Sequence, residues 1–460
     1  MKTNVSIPPQ VRRIHCVGIG GSGMFPLVQI LHTQGYCITG SDNNEGDIVD
    51  AERKMGIRVD IGHDAAHVAG ADLVLYSAAI PAANPELTAA REAGIPLWER
   101  AAMLGAVSSW YREAVGVCGT HGKTTVTSML TQIVYGAGRD PSAVIGGKLP
   151  AIGGYGRAGG SDLFVYEACE FKDTFLSTHP DFAVVLNIDN DHMDYFGTIE
   201  NAMASYTTFM NKAGRILYNG DDRRTVEATD RVPQGEKHTF GWGTQNDFYP
   251  ARVQKLDGLH RTFDLMHRGQ KLASLALQVP GEHNILNAVA AAAAAWLLGV
   301  EPEEIARHLA AFGGAGRRFE VLGKVNGVTI ADDYAHHPAE LEVTLRAAQE
   351  LDFRQVWAVF QPFTFSRTYL LLEDFATALS LADRVVLSPI MGGRETNSYD
   401  IHASDLGEKI PGCVWLGGFE EIADYVMAHA QPGDLVLTLG CGDIYKCARM
   451  MLHRGAAPQG

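Results

Sequence analysis

The chain of 460 residues has no C-x-x-C pair, and its seven cysteines, at positions 16, 37, 118, 169, 413, 441 and 447, are odd in number. Neither a zinc ribbon nor a disulfide framework follows, and a reducing compartment fits. Basic charge is also short. The formal charge of -15 argues against a general nucleic-acid binder, which shows a basic face. Small anionic ligands stay open, because helix ends and a few Lys or Arg hold them locally. The opening stretch MKTNVSIPPQVRR has no apolar core of the signal-peptide kind, and the longest apolar run, residues 288–298, is alanine-rich and too short to span a bilayer. A cytoplasmic protein with no membrane insertion is expected. The length exceeds one typical core, so two or three domains are expected.

What is present centres on residues 115–125, VGVCGTHGKTT, where an apolar run breaks into glycines and opens a helix reaching about residue 135. A strand delivers a phosphate-binding loop there. Glycines let backbone N–H groups turn toward an anion, the helix adds its positive end, Lys123 reaches terminal phosphates and the Thr124 hydroxyl suits Mg²⁺. A nucleoside triphosphate is the expected ligand. The spacing departs from G-x-x-x-x-G-K-[ST], because Val117 stands at the first glycine position.

Earlier in the chain, the apolar run 14–19 ends in Gly18, Ile19, Gly20, Gly21, Ser22 and Gly23, followed by an amphipathic segment to about residue 34. A second strand, 36–39, delivers Gly40, Ser41 and Asp42, with the acid about 20 residues past the glycines. This is a Rossmann-like unit for a diphosphate. Read alone it fits NAD, with Asp42 on a ribose hydroxyl, so a nicotinamide oxidoreductase is the competing class.

After the phosphate loop, the strand-like 163–166 ends in Glu167, Ala168, Cys169 and Glu170, and 182–186 ends in Asn187, Ile188, Asp189, Asn190, Asp191 and His192. Ligands of open α/β sheets bind beyond the carboxyl ends of strands, so both clusters are expected near the phosphate loop. Hard oxygens with one imidazole suit Mg²⁺ or Mn²⁺. Cys169 reads as a packing residue. From 248 to 280, turns at Asp257-Gly258 and Arg268-Gly269 predict an antiparallel patch. Asn284 and Asn287 then share one face of a helix start, with N-capping the alternative for Asn284.

A glycine-rich link, 312–316, precedes Arg317, Arg318, Phe319 and Glu320. The strand-like 328–331 ends in Asp332, Asp333, Tyr334, Ala335, His336, His337 and Pro338, with Glu340 in the following helix. Strand, polar end and helix repeat through 355–361, 384–388 and 434–439, which predicts a third doubly wound α/β domain.

Gly119, Thr120, His121, Gly122, Lys123, Thr124 and Thr125 resemble the variant phosphate loop of the Mur ligase family, and ordered motifs in all three thirds extend the resemblance over nearly the whole chain. It implies an ATP-dependent ligase of peptidoglycan precursor synthesis. The Asp-Asp-Tyr-Ala-His-His-Pro run and FQPFTFSRT, 360–368, resemble the alanine-adding branch, implying L-alanine, UDP-N-acetylmuramate and ATP as substrates. In that reaction the lactyl carboxylate takes the γ-phosphoryl group, and the alanine amine displaces phosphate from the acyl phosphate. By the same resemblance, Gly20, Gly21, Gly23, Met24, Ser41, Asp42 and Ser77 receive the UDP-sugar, and Glu167 and His192 join Thr124 as metal residues. Asn284, Asn287, Arg318 and Asp333 would contact the nucleotide, with Arg317 a surface charge, and His336, His337 and Arg367 would face the amino acid. Lys123, Glu167, His192 and Arg318 are the expected catalytic set.

The fold implied is three α/β domains: a Rossmann-like 1–108, a central P-loop ATPase-like parallel sheet over 109–313, and a Rossmann-like 314–460. Links near 110 and 314 suggest closure around the substrates. Two departures stand in the last domain. Phe363 occupies a position where the branch commonly has His, and SPIMGGRE, 388–395, lacks an expected aspartate and Tyr-Ala-Ala. They keep a related ligase in view, one that attaches a preformed peptide to the same sugar nucleotide in wall recycling. A non-catalytic nucleotide sensor is the remaining alternative.

Overall fold

The computed structural model describes residues 6–256, 260–393 and 395–456. Two compact units emerge, one of Met1–Arg252, Phe263–Leu275 and Leu286–Ala310, the other of Val253–Thr262, Ala276–Ile285 and Ala311–Gly460.

The first unit opens with five parallel strands, β1 (Arg13–Val17), β2 (Cys37–Asp42), β3 (Arg58–Ile61), β4 (Leu73–Tyr76) and β5 (Leu97–Glu99), in the order β3-β2-β1-β4-β5. The inner strands β1 and β4 are short and largely apolar, as expected of a parallel sheet covered on both faces. The order reverses beside β1, so the crevice beyond its carboxyl end is a ligand position. Gly18–Gly23 lie in that crevice, before the helix Phe25–Thr33.

A ten-stranded sheet follows, formed by β6 (Glu113–Cys118), β7 (Ser142–Leu149), β8 (Gly154–Arg157), β9 (Leu163–Glu167), β10 (Phe182–Val185), β11 (Arg215–Asn219), β12 (Glu236–Phe240), β13 (Phe248–Lys255), β14 (Arg261–His267) and β15 (Gln270–Leu277). Its order is β15-β14-β13-β12-β11-β10-β6-β9-β7-β8. The two strands expected beside the phosphate loop do flank β6 in parallel, with Val117 level with Glu167 on one side and Cys118 level with Val185 on the other. That register brings both acidic clusters to one end of the sheet. The Arg268-Gly269 turn joins β14 and β15, while the Asp257-Gly258 turn lies outside the described residues.

The second unit carries β16 (Glu320–Val325), β17 (Val328–Asp333), β18 (Val356–Phe360), β19 (Arg384–Leu387), β20 (Val414–Trp415) and β21 (Leu435–Leu439). The order is β16-β17-β21-β18-β19-β20, parallel except for β16. Successive side chains alternate between two cores. Ala358 and Phe360 join Leu345 and Leu379 on one face, and Trp357 and Val359 join Val426 and Met451 on the other. Among the described residues no helix is long and apolar enough to cross a membrane.

Candidate active site

In the first unit, β6 runs into the loop 119–122 and the helix Lys123–Gly136. Two positions of the loop favour glycine. Gly119 has φ 143°, and a Cβ there would stand 2.8 Å from Leu186 Cβ. Gly122 has φ 89°, and a Cβ would stand 2.7 Å from Asn287 Oδ1. Asn287 therefore lies against the phosphate loop.

Asn187, just past β10, clamps the loop from the side. Its Oδ1 accepts the His121 N–H at 2.8 Å, its Nδ2 donates to the His121 carbonyl at 3.0 Å, and its own carbonyl accepts the Thr120 N–H at 3.0 Å. Thr120 Oγ1 in turn accepts the Asp189 N–H at 2.8 Å, so the loop and the cluster after β10 form one piece.

Lys123 Nζ donates to the carbonyls of Gly119 at 2.6 Å and Thr120 at 3.0 Å and to Glu170 Oε1 at 3.0 Å. Burial opposes the ammonium charge, but the surrounding negative groups, Glu170 foremost, outweigh it and the lysine holds its proton more tightly than usual. Glu170 Oε2 is buried with no hydrogen-bond partner. Cys169, between the two glutamates, has its thiol pushed up to about 11 by burial and then by Glu170, which suits packing and not nucleophilic chemistry.

Thr124 Oγ1 donates to Glu167 Oε2 at 2.9 Å, and the same oxygen accepts the Gly146 N–H at 2.8 Å. A hydroxyl and a carboxylate thus stand together beside the phosphate loop. Among the described residues no three His, Cys, Asp or Glu side chains group as a metal cage. The oxygen pair still fits Mg²⁺, which usually keeps several waters and shares substrate phosphates. His192 takes a left-handed backbone, φ 54°, and its ring lies 4.6 Å from that of Phe171.

At the first sheet, the glycine turn is held by the end of β2. The Ser41 carbonyl accepts the N–H groups of Gly18 at 2.8 Å and Ile19 at 3.1 Å, and Asp42 Oδ2 accepts that of Gly20 at 3.1 Å. Asp42 Oδ1 accepts the Asn44 N–H at 3.1 Å. Each carboxylate oxygen is thus engaged by one backbone N–H. Gly21 and Met24 also direct their N–H groups inward, to the carbonyls of Gly18 and Gly21. Ser77 Oγ accepts the Ala79 N–H at 3.2 Å in the turn after β4. Ser41 Oγ donates to buried Glu86 at 2.6 Å, and Glu86 also meets His63 Nδ1 at 3.1 Å and His67 Nδ1 at 2.6 Å.

In the second unit, the loops after β17, β18 and β21 carry the remaining residues. Asp333 Oδ2 accepts the Phe319 N–H at 2.7 Å and Oδ1 that of Ala335 at 2.8 Å. Burial pushes its carboxyl up to about 6, against Arg318 and these backbone donors. Arg318 lies over the Tyr334 ring at 5.0 Å. Arg317 is not the surface charge expected. Its Nε donates to Asp332 at 2.8 Å, its terminal nitrogens to the Gly442 and Gly440 carbonyls, and its guanidinium sits between Tyr334 and Tyr445. The sequence sets two arginines side by side, and Arg317, with a left-handed backbone at φ 60°, is the one held inward by Asp332 and the Gly440 and Gly442 carbonyls.

His336 Nδ1 meets Glu340 Oε2 at 3.2 Å, and burial together with Arg367 and Arg318 lowers its proton affinity against that carboxylate. His337 caps the helix Pro338–Gln349, its Nδ1 accepting the Ala339 N–H at 3.4 Å. Arg367 lies in the helix Phe365–Leu370, with Phe363 just before it. Met391 N–H donates to the Pro362 carbonyl at 2.9 Å, so the two departing segments touch. The N-cap alternative for Asn284 does not hold. The helix begins at Glu282, so Asn284 sits inside its first turn, donating to the Pro280 carbonyl at 2.6 Å, and is not its N-cap.

A phosphate loop on a central sheet, a glycine turn on a Rossmann-like sheet and a third doubly wound sheet define a three-part nucleotide-dependent ligase. Family comparison agrees over most of the chain: residues 13–112 match the Mur ligase family, catalytic domain, 117–295 the Mur ligase middle domain, and 317–442 the Mur ligase, glutamate ligase domain. The chain belongs to the Mur ligase family. It is 40% identical over 450 residues to the "UDP-N-acetylmuramate--L-alanine ligase" of Alkaliphilus metalliredigens, covering 96% of this chain and 97% of that one. Among solved structures, it is similar to the UDP-N-acetylmuramate-alanine ligase of Thermotoga maritima, with TM-score 0.82, 25% identity and coverage of 96% and 98%. A murein peptide ligase of Psychrobacter arcticus shares the fold, with TM-score 0.75, 24% identity and coverage of 97% and 99%.

Proposed function

We propose that this protein joins L-alanine to the lactyl carboxylate of UDP-N-acetylmuramate at the expense of ATP, in three domains of about 1–108, 109–313 and 314–460. The observation that carries the reading is the phosphate loop built on Gly119, Gly122 and Lys123, in a chain 40% identical to an alanine ligase over nearly its whole length. The peptide-adding alternative rests on fold likeness and two local departures, and is less well supported.

A carboxylate is a poor acylating agent because its leaving group is oxide. In the first step a lactyl carboxylate oxygen bonds to the γ-phosphorus, the bond to the β-phosphate bridging oxygen breaks, and ADP leaves. In the second, the neutral amine of alanine bonds to the acyl carbon, phosphate leaves with the C–O electron pair, and the nitrogen loses a proton to give the amide. Two anions must meet in the first step. Lys123 lowers that repulsion from the loop, and Arg318 contributes a charge that does not titrate away. Thr124, Glu167 and His192 would hold Mg²⁺, which when bound neutralises phosphate charge. Asn284, Asn287 and Asp333 hold the nucleotide in this reading, while His336, His337 and Arg367 receive alanine. The sequence reading of ATP and the sugar nucleotide as ligands and of the cytoplasm as the location belongs to the same proposal.

Product mass tests it. Incubation with ATP, Mg²⁺, UDP-N-acetylmuramate and L-alanine should give the sugar nucleotide plus one alanine less one water. A product only when a wall-derived tripeptide replaces alanine would move the protein to the recycling reaction.

A further inference from the structure

The helix Asp47–Lys54 is held to the first sheet by little. Its N-cap, Gly46, offers no side-chain hydrogen bond, and Val49 and Glu52 are its buried residues. So short a helix does not stand in water by itself, and these two side chains decide whether it stays docked. Val49 backs the glycine turn. Its Cγ2 stands 2.9 Å from the position a Cβ on Gly20 would take, and Asp42 Oδ2 stands 3.1 Å from the same point.

Glu52 is the other contact, and its surroundings do not suit a charge. It is fully buried, and both carboxyl oxygens lack a hydrogen-bond partner. On β1 it faces Cys16, whose thiol is pushed up by burial and then by Glu52, and at the end of β2 it meets the repulsion of Asp42. Among the described residues no cation compensates it. Arg53 turns outward, pairing with Glu45 at 2.6 Å and donating to the Val59 carbonyl at 3.2 Å, while Arg58 and Asp60 of β3 pair with each other at 3.1 Å. Asp50 and Lys54 are exposed. An unpaired carboxylate is far more costly to bury than a carboxylic acid.

We propose that Glu52 is a pH-sensitive latch, which as the acid keeps this helix against the glycine turn and as the carboxylate releases it. Burial and then Asp42 push its carboxyl up to about 8, so the docked helix carries the acid at neutral pH. The folded value lies above the unfolded value of about 4.3. The docked helix thus keeps a proton that the released helix loses, and its stability is complete below about pH 4.3 and is lost as pH rises toward 8. Release carries Val49 away from Gly20. For its effect on ligand the proposal rests on the sugar-nucleotide reading of this turn.

Hydrogen exchange on the full-length protein tests the latch without any ligand. After correction for the intrinsic pH dependence of exchange, the amides of Asp47–Lys54 in the parent should lose protection by up to about tenfold per pH unit between about pH 5 and 8, and level off above. In Glu52→Gln and Glu52→Leu they should keep their protection across that range. If neither variant folds, the parent's profile decides alone. Protection that stays level with pH in the parent, or falls as steeply in the variants, would overturn the latch. Near pH 8, UDP-N-acetylmuramate at about a hundredfold its Kd should raise the parent's protection about a hundredfold, because ligand held by the closed turn opposes release. Bound sugar nucleotide that leaves exchange unchanged would overturn the link between latch and turn. A parent that binds no sugar nucleotide at any pH would overturn the sugar-nucleotide reading, and the ligand-free profile would still decide the latch.

Discussion

Lys123 and Glu170 form an ion pair at 3.0 Å, with 14% of the lysine and 3% of the glutamate side chain exposed. The pair keeps the phosphate-loop ammonium charged and aimed at the loop's own carbonyls. Replacing Lys123 by Met removes the charge that should meet the γ-phosphate, and a loss of about a hundredfold or more in kcat is expected. Glu170→Gln should leave the fold in place and lower kcat/KM for ATP, because the amide no longer fixes the ammonium. Steady-state kinetics with ATP varied checks both, and parent-like rates in Lys123→Met would contradict the role given to the lysine.

The loop geometry makes a sharper demand at Gly119. An alanine there would bring its Cβ within 2.8 Å of Leu186 Cβ in a backbone conformation that favours glycine. Gly119→Ala should lose ATP binding by about tenfold or more and lower stability by about 1–3 kcal/mol. Nucleotide titration together with urea unfolding reads both effects.

Thr124 and Glu167 share one hydrogen bond at 2.9 Å. If this oxygen pair holds Mg²⁺, Thr124→Val should raise the Mg²⁺ concentration needed for half-maximal turnover, and Glu167→Gln should do so more strongly because a charge is lost. A Mg²⁺ titration at fixed ATP separates this from a general loss of activity. Unaltered metal dependence in both variants would remove them from the metal site.

Glu86 ties the first sheet together, and its charge makes a pH prediction. Burial alone would raise its carboxyl, but contacts from His15, Ser41 and His67 outweigh burial and bring it down to about 2. The folded-state value is thus below the unfolded value of about 4.3. The stability from this group is present above about pH 4.3 and is lost as pH falls toward 2. Urea unfolding of the parent should show that loss, and Glu86→Gln should show less of it, with about 1–3 kcal/mol less stability near neutral pH.

The strands and their polar ends were legible because a buried parallel strand is a continuous apolar run and its carboxyl end carries the functional residue. The strand expected over 163–166 is there as Leu163–Glu167, one residue longer, so that Glu167 closes it at the carboxyl end. Partnership across the chain was not legible. Glu170 stands three residues from Glu167, and nothing in that spacing tells which one meets Lys123. Glu86 gathers side chains from β1, β2, the segment after β3 and the turn that follows, contacts that exist only once the sheet has formed. Arg317 was misread because its inward turn depends on the carbonyls of Gly440 and Gly442, far along the chain.

The most direct measurement follows oxygen in a single turnover. UDP-N-acetylmuramate carrying ¹⁸O in its lactyl carboxylate is incubated with ATP, Mg²⁺ and L-alanine, and the released phosphate is analysed by mass. An acyl phosphate transfers one carboxylate oxygen to phosphate for each amide formed, so labelled phosphate is expected in step with product and only when sugar nucleotide and alanine are both present. Phosphate free of label, or phosphate released without the sugar nucleotide, would contradict the account.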